Sequence, residues 1–187
     1  MKSCIRFSLL FLPLVLPVTV WACCRGAIGL AAQEGLRSPW GSTLPTNGKA
    51  LLMTGFVRAP GDWEDLALWA EIGMRRTDNF FAGDTSLLAA IGPALAMRGD
   101  ALYLTLMPAG LAYFSDPTDK DIDVLGRRNR ESRFEIESRA AFGMCGAKFC
   151  GGFFYSHYSN GGIGKGPNVG RDYLGFEISI PFGNKVP

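Results

Sequence analysis

His157 is the sole histidine of the chain, and Ser159 follows it by two residues in the run His157-Tyr158-Ser159-Asn160-Gly161-Gly162. A serine hydroxyl is a weak nucleophile until a base removes its proton, and imidazole is the side chain suited to that task near neutral pH. On an extended strand, residues i and i+2 share a face. Backbone geometry alone therefore makes the imidazole and the hydroxyl neighbours. The chemistry this pairing could do is acyl transfer, provided a third group orients the imidazole and stabilises its charge. Gly161 and Gly162 come next, where backbone N–H groups could approach an oxyanion unhindered. Alone, H-x-S is a weak signal, and the surrounding elements must supply the rest.

Those elements read as strands. From Arg133 to Met144 the even positions (Phe134, Ile136, Ser138, Ala140, Phe142, Met144) are largely apolar, whereas the odd positions carry Arg133, Glu135, Glu137 and Arg139. Successive strand side chains point to opposite faces, so this segment has one apolar face and one charged face. Leu66 to Arg76 repeats the pattern, with Leu66, Leu68, Ala70, Ile72 and Met74 opposite Trp69, Glu71 and Arg75. Asp172 to Phe182 does so again, with Leu174, Phe176, Ile178, Ile180 and Phe182 on one side and Glu177 and Ser179 on the other. Strands are expected at about 26–36, 49–58, 64–76, 87–97, 101–114, 132–144, 149–158 and 171–182.

Tight connections near 59–62, 98–100 and 146–148 alternate with longer ones near 77–86, 115–131 and 159–171. Short turns at one end, long loops at the other and strands of roughly ten residues are the habit of outer-membrane barrels, for which eight is the smallest even strand number. The expected fold is an all-β, eight-stranded antiparallel outer-membrane β-barrel.

Composition agrees. The chain carries 24 glycines, 48 % apolar residues and only 19 % charged ones, unusual for a soluble domain of this size. Residues 1–22 have the form of a secretory signal: Lys2 and Arg6, an apolar stretch from Phe7 to Val20, and Val20-Trp21-Ala22 as a cleavage site. The apolar stretch is shorter than the roughly 20 residues of a spanning helix, and Pro13 and Pro17 interrupt it. Residues 23–187 are then a single barrel domain, with Cys23 first and its lipidation left open. Without Lys2 and Arg6, the 19 Lys+Arg fall level with the 17 Asp+Glu, a balance that suggests no nucleic-acid partner. The Arg127-Arg128-Asn129-Arg130 run lies in the long 115–131 loop, where arginines suit bidentate contact with lipid phosphates.

Placed on this frame, His157 and Ser159 share their face with Phe149, Phe153 and Tyr155, which is the lipid-facing side. An ionisable group pointing at lipid is costly and marks function. The next strand puts Asp172 on its own lipid-facing side with Leu174 and Phe176, at the same end of the barrel. Glu177 falls on the opposite parity, in the lumen, as a partner for Arg139 or Arg75. The parity argument selects Asp172 as the third group.

The run Arg133-Phe134-Glu135-Ile136-Glu137 through His157-Tyr158-Ser159-Asn160-Gly161-Gly162, then Pro167-Asn168 and Gly170 ahead of an acidic residue, resembles the lipid A 3-O-deacylase (PagL) family. The likeness covers about residues 101–182. It implies a lipid-facing Ser-His-acid triad that hydrolyses the ester at the 3-position of lipid A with no metal or other cofactor. Ser159 would be the nucleophile, His157 the base, and Asp172 would stand where the family usually has Glu. Asn160, Gly162 and Asn168 match positions associated with the oxyanion hole. The implied partner is lipid A, or lipopolysaccharide, in the outer leaflet of a Gram-negative outer membrane, and a homodimer is left open.

H-x-S-N-G is also similar to outer-membrane phospholipase A, whose triad ends in Asn and depends on calcium, but that family needs a longer chain and more strands. A non-catalytic barrel that stabilises the envelope or binds a surface partner is the reading from another class. It leaves the clustering of Ser159, His157 and Asp172 without a reason. Cys145 and Cys150 flank a tight turn, where an oxidising compartment favours a bridge. Their opposite parity argues for opposite faces, and the pairing stays open.

Overall fold

The computed structural model describes residues 25–36, 48–59, 65–76, 85–98, 101–115, 133–146, 148–159 and 170–183. The signal at 1–22, Cys23 and the arginine run at 127–130 lie outside the described residues.

Alternation becomes eight strands: β1 (Gly26–Leu36), β2 (Lys49–Arg58), β3 (Leu66–Arg76), β4 (Thr85–Arg98), β5 (Leu102–Phe114), β6 (Phe134–Cys145), β7 (Cys150–Ser159) and β8 (Arg171–Phe182). Each pairs antiparallel with its sequence neighbours, and β1 pairs with β8 to close the barrel. Closure leaves no edge with unpaired backbone groups, which is the condition for crossing a bilayer with strands. The outer surface is an apolar belt that includes Leu30, Met53, Leu68, Ile72, Leu111, Phe142, Phe153 and Ile180, all exposed. The inner surface carries the charges. An eight-stranded barrel is just wide enough for side chains to fill it, and Leu52, Trp69, Arg75, Leu88, Phe114, Arg139, Phe154 and Tyr173 are buried there. Such a belt around a filled interior is the build of an outer-membrane barrel.

The interior is held by a polar network centred on Arg139. Its guanidinium meets Glu177 at 2.6 Å and Glu71 at 3.3 Å, donates to Ser156 Oγ at 3.3 Å, and lies 3.5 Å from the Phe154 ring centroid. Tyr158 donates to Glu71 at 3.0 Å and Tyr103 donates to Glu177 at 2.9 Å. Of the two arginines expected as partners for Glu177, Arg139 makes the contact. The Arg75 Nε–H instead donates to the Tyr173 hydroxyl at 2.7 Å. Removing one member of a buried charge pair typically costs about 3–5 kcal/mol, so this network ties β3, β6, β7 and β8 together from inside.

Two local features depart from simple alternation. In β5 the register against β6 shifts between Met107 and Gly110. Tyr103, Thr105 and Met107 turn inward before the shift, and Gly110, Ala112 and Phe114 after it. Pro108 and Ala109 both face outward between them. A β-bulge makes this change of parity, and a proline, which lacks an N–H, is tolerated there. The second is the bridge between Cys145 and Cys150, which the structure forms. The two residues are direct cross-strand partners. Across this turn paired residues have opposite parity in sequence, so one odd and one even cysteine share the inner face.

Candidate active site on the outer wall

β7 runs with Phe154, Ser156 and Tyr158 inward and buried, so Phe153, Tyr155, His157 and Ser159 project outward. On β8, Arg171, Tyr173, Gly175 and Glu177 turn inward and Asp172, Leu174 and Phe176 outward. The β7–β8 register sets His157 directly opposite Asp172. Directly opposed residues have Cβ atoms about 4.5–5.5 Å apart. A side chain as short as aspartate therefore spans the gap, and His157 Nδ1 lies 2.7 Å from Asp172 Oδ1.

A carboxylate only accepts hydrogen bonds. Nδ1 must carry the proton, which leaves Nε2 as the basic nitrogen facing away from the acid. Asp172 is on the lipid-facing side yet fully buried, whereas the His157 side chain keeps 32 % of its surface exposed. The carboxylate meets the imidazole and also Tyr155, whose hydroxyl donates to the same Oδ1 at 2.5 Å. An ionised group at a lipid boundary is tolerated only when paired and hydrogen-bonded.

Ser159 ends β7 on the face of His157, half-buried and paired with Ile136 of β6. A second serine competes for the imidazole, because Ser138 is the β6 partner of His157. Its hydroxyl is committed elsewhere: it donates to the Pro108 carbonyl at the β5 bulge at 2.7 Å. Among the sequence-derived candidates, the structure thus joins His157 to Asp172 and sets Ser159 on the same wall. Asn160, Gly162 and Asn168 lie outside the described residues. Glu177 is buried in the lumen on Arg139, away from the imidazole.

A residue beyond the three chemical groups also shapes the site. A Cβ added at Gly170 would sit 2.4 Å from His157 Cε1 and 3.1 Å from Nε2. The backbone entering β8 thus forms a floor under the ring that only glycine permits. Gly170→Ala should push the imidazole off Asp172 and away from its substrate, lowering turnover about 10²-fold, the scale of a 1 Å misplacement of a reacting group. The barrel should still assemble, with a modest drop in thermal midpoint, since Asp172 keeps the Tyr155 hydroxyl when the imidazole moves. Initial rates and a melting curve on the same preparation check both parts.

The family model of lipid A 3-O-deacylase (PagL) matches residues 38–181. The chain belongs to the PagL family. Its fold is similar to that in the crystal structure of the outer membrane enzyme PagL, with a TM-score of 0.55 at 19 % identity over 83 % of this chain and 99 % of that one. No curated protein matches the sequence. PagL membership makes the chain a member of a hydrolase family acting on lipid A, and its apolar-belted barrel resides in the outer membrane. The aspartate at position 172 sits opposite His157 in register, where a longer acid is not needed to reach Nδ1.

Proposed function

We propose that the protein hydrolyses the ester-linked 3-hydroxyacyl chain at the 3-position of lipid A, with Ser159 as nucleophile, His157 as base and Asp172 as the acid. The observation that carries this reading is the Nδ1-bound contact between His157 and Asp172 on the outer wall of a PagL-family barrel. The short connections and both described chain ends lie at one end of the barrel, and the site lies at the other, with the long connections. Short turns face the periplasm in outer-membrane barrels, so the site would meet the outer leaflet, where lipid A resides.

In the proposed reaction, His157 Nε2 takes the Ser159 hydroxyl proton as Oγ attacks the ester carbonyl. Asp172 holds the imidazolium that results. The oxyanion would be received by backbone N–H groups in the Asn160–Gly162 stretch together with Asn168, after which the proton passes from His157 to the departing 3-hydroxyl of the glucosamine. Water, deprotonated by the same nitrogen, then cleaves the acyl-enzyme and releases a free 3-hydroxy fatty acid.

Mass spectrometry of lipid A from a Gram-negative host tests this. Expression of the wild type should remove one 3-hydroxyacyl mass from most molecules, and expression of Ser159→Ala should remove none. Chelator should leave purified activity unchanged, which separates the reading from a calcium-dependent phospholipase. Lipid A of unaltered mass in cells with folded wild-type barrel would sink it.

A further inference from the structure

An outward tyrosine on a barrel ordinarily serves the aromatic girdle that meets the membrane interface. Tyr155 does something more specific. It stands two residues before His157 on the same face and opposite Leu174 in register, so its ring lies across the outside of β8 within reach of the diagonal neighbour Asp172. The hydroxyl donates to Asp172 Oδ1, the oxygen that also receives His157 Nδ1–H. Two donors thus arrive at one carboxylate oxygen from two positions on β7.

From this convergence we propose that Tyr155 is a positioning residue for the reaction, locking the Asp172 carboxylate so that it presents Oδ1 to the imidazole. The inference rests on the deacylase reading of the same site. The physical case has three parts. A hydrogen bond to an ionised carboxylate is stronger than one between neutral groups, and more so where lipid rather than water is the alternative surrounding. Aspartate has only two side-chain torsions, and β7 supplies two groups that restrain them, so the register helps pre-orient acid and base before substrate arrives. The phenol also meets a carboxylate that is fully buried on a wall facing lipid. No other described charged side chain faces the ring from either neighbouring strand: β6 presents Ile136, Ser138 and Ala140, and β8 presents Leu174 beyond Asp172.

Tyr155→Phe keeps the ring and removes only the donor. It should be compared with Asp172→Asn and the double variant in full-length, detergent-folded protein without a histidine tag, so that imidazole nitrogen signals report His157 alone. On lipopolysaccharide, Tyr155→Phe should lower kcat about tenfold and leave KM within twofold. At alkaline pH, nitrogen NMR should show one Nδ1–H tautomer in the wild type and a mixture in Tyr155→Phe. In the Asp172→Asn background, Tyr155→Phe should have no further effect on either readout, the signature of two groups acting through one contact.

Wild-type kcat together with a single Nδ1–H tautomer in Tyr155→Phe overturns the proposal. An equal loss in the Asp172→Asn background does so too, because it would mark Tyr155 as a merely structural contact. A wild type that fails to cleave lipopolysaccharide would defeat the deacylase reading on its own. The tautomer measurement, which needs no substrate, would still decide whether Tyr155 holds the acid.

Discussion

Ser159→Ala and His157→Ala should each lower lipid A deacylation by roughly 10⁴-fold or more, the scale at which triads fail when nucleophile or base is removed. Both side chains project from the outer wall of β7, so neither substitution opens a hole in the luminal core formed by Phe114, Phe154, Tyr158 and Tyr173. Yield and thermal midpoint should match the wild type in Ser159→Ala, whereas His157→Ala should still assemble the barrel but melt lower, because it takes a partner from the buried Asp172. The double variant should be no worse than either single one, because the two groups act as a unit. Ser138→Ala is the matched control. It removes a hydroxyl from the β6 partner of His157, but one already donated to the Pro108 carbonyl, so turnover should stay within about threefold of wild type, the loss of one neutral hydrogen bond being about 1 kcal/mol. Loss of activity in Ser138→Ala with retention in Ser159→Ala would exchange the two serines. Burst kinetics with a chromogenic ester would reveal the acyl-enzyme, and mass spectrometry of the trapped peptide would locate the acyl group.

The acid carries the second large effect. Asp172→Asn keeps the size of the side chain and removes its charge. The amide can offer an N–H where Nδ1–H now donates, favouring the wrong tautomer and leaving imidazolium unsupported. A loss on the order of 10⁴ in kcat is expected. Glu177→Gln should behave in the opposite way, leaving kcat within a few-fold while lowering the melting temperature by several degrees. Glu177 accepts from Arg139 at 2.6 Å and Tyr103 at 2.9 Å in the lumen, and a weakened buried pair is a stability defect. Rates and melting curves on the two proteins form a crossed comparison. Activity lost in Glu177→Gln but kept in Asp172→Asn would reverse the choice of acid.

Parity is what made so much of this legible from residues alone. Charged odd positions opposite apolar even ones in β6, and the same pattern in β3 and β8, fix which side chains turn inward, so the barrel, the luminal place of Glu177 and the outward place of Asp172 all follow. Parity says nothing of level along the barrel, however. That His157 stands opposite Asp172 depends on the β7–β8 register, and so do the Tyr155 hydroxyl on Asp172 and the Gly170 backbone beneath the ring. Cys145 and Cys150 show the same gap from the other side, since parity cannot be compared across a turn until the register is known. The β5 bulge was hidden because Leu111, on the far side of the slip, is as apolar as Leu106 before it. A run without charges carries no mark of the position where its faces exchange.

The split of β7 between inward Phe154, Ser156 and Tyr158 and outward Phe153, Tyr155, His157 and Ser159 has an evolutionary consequence. Neighbouring codons answer to different selection. One set answers to the demand that the barrel stay assembled, and the alternate set to whatever lipid slides along its wall. Outward positions around the proposed catalytic pair can therefore change toward a new acyl preference without reopening the problem of folding. Inward positions can be exchanged for better packing without retuning the chemistry.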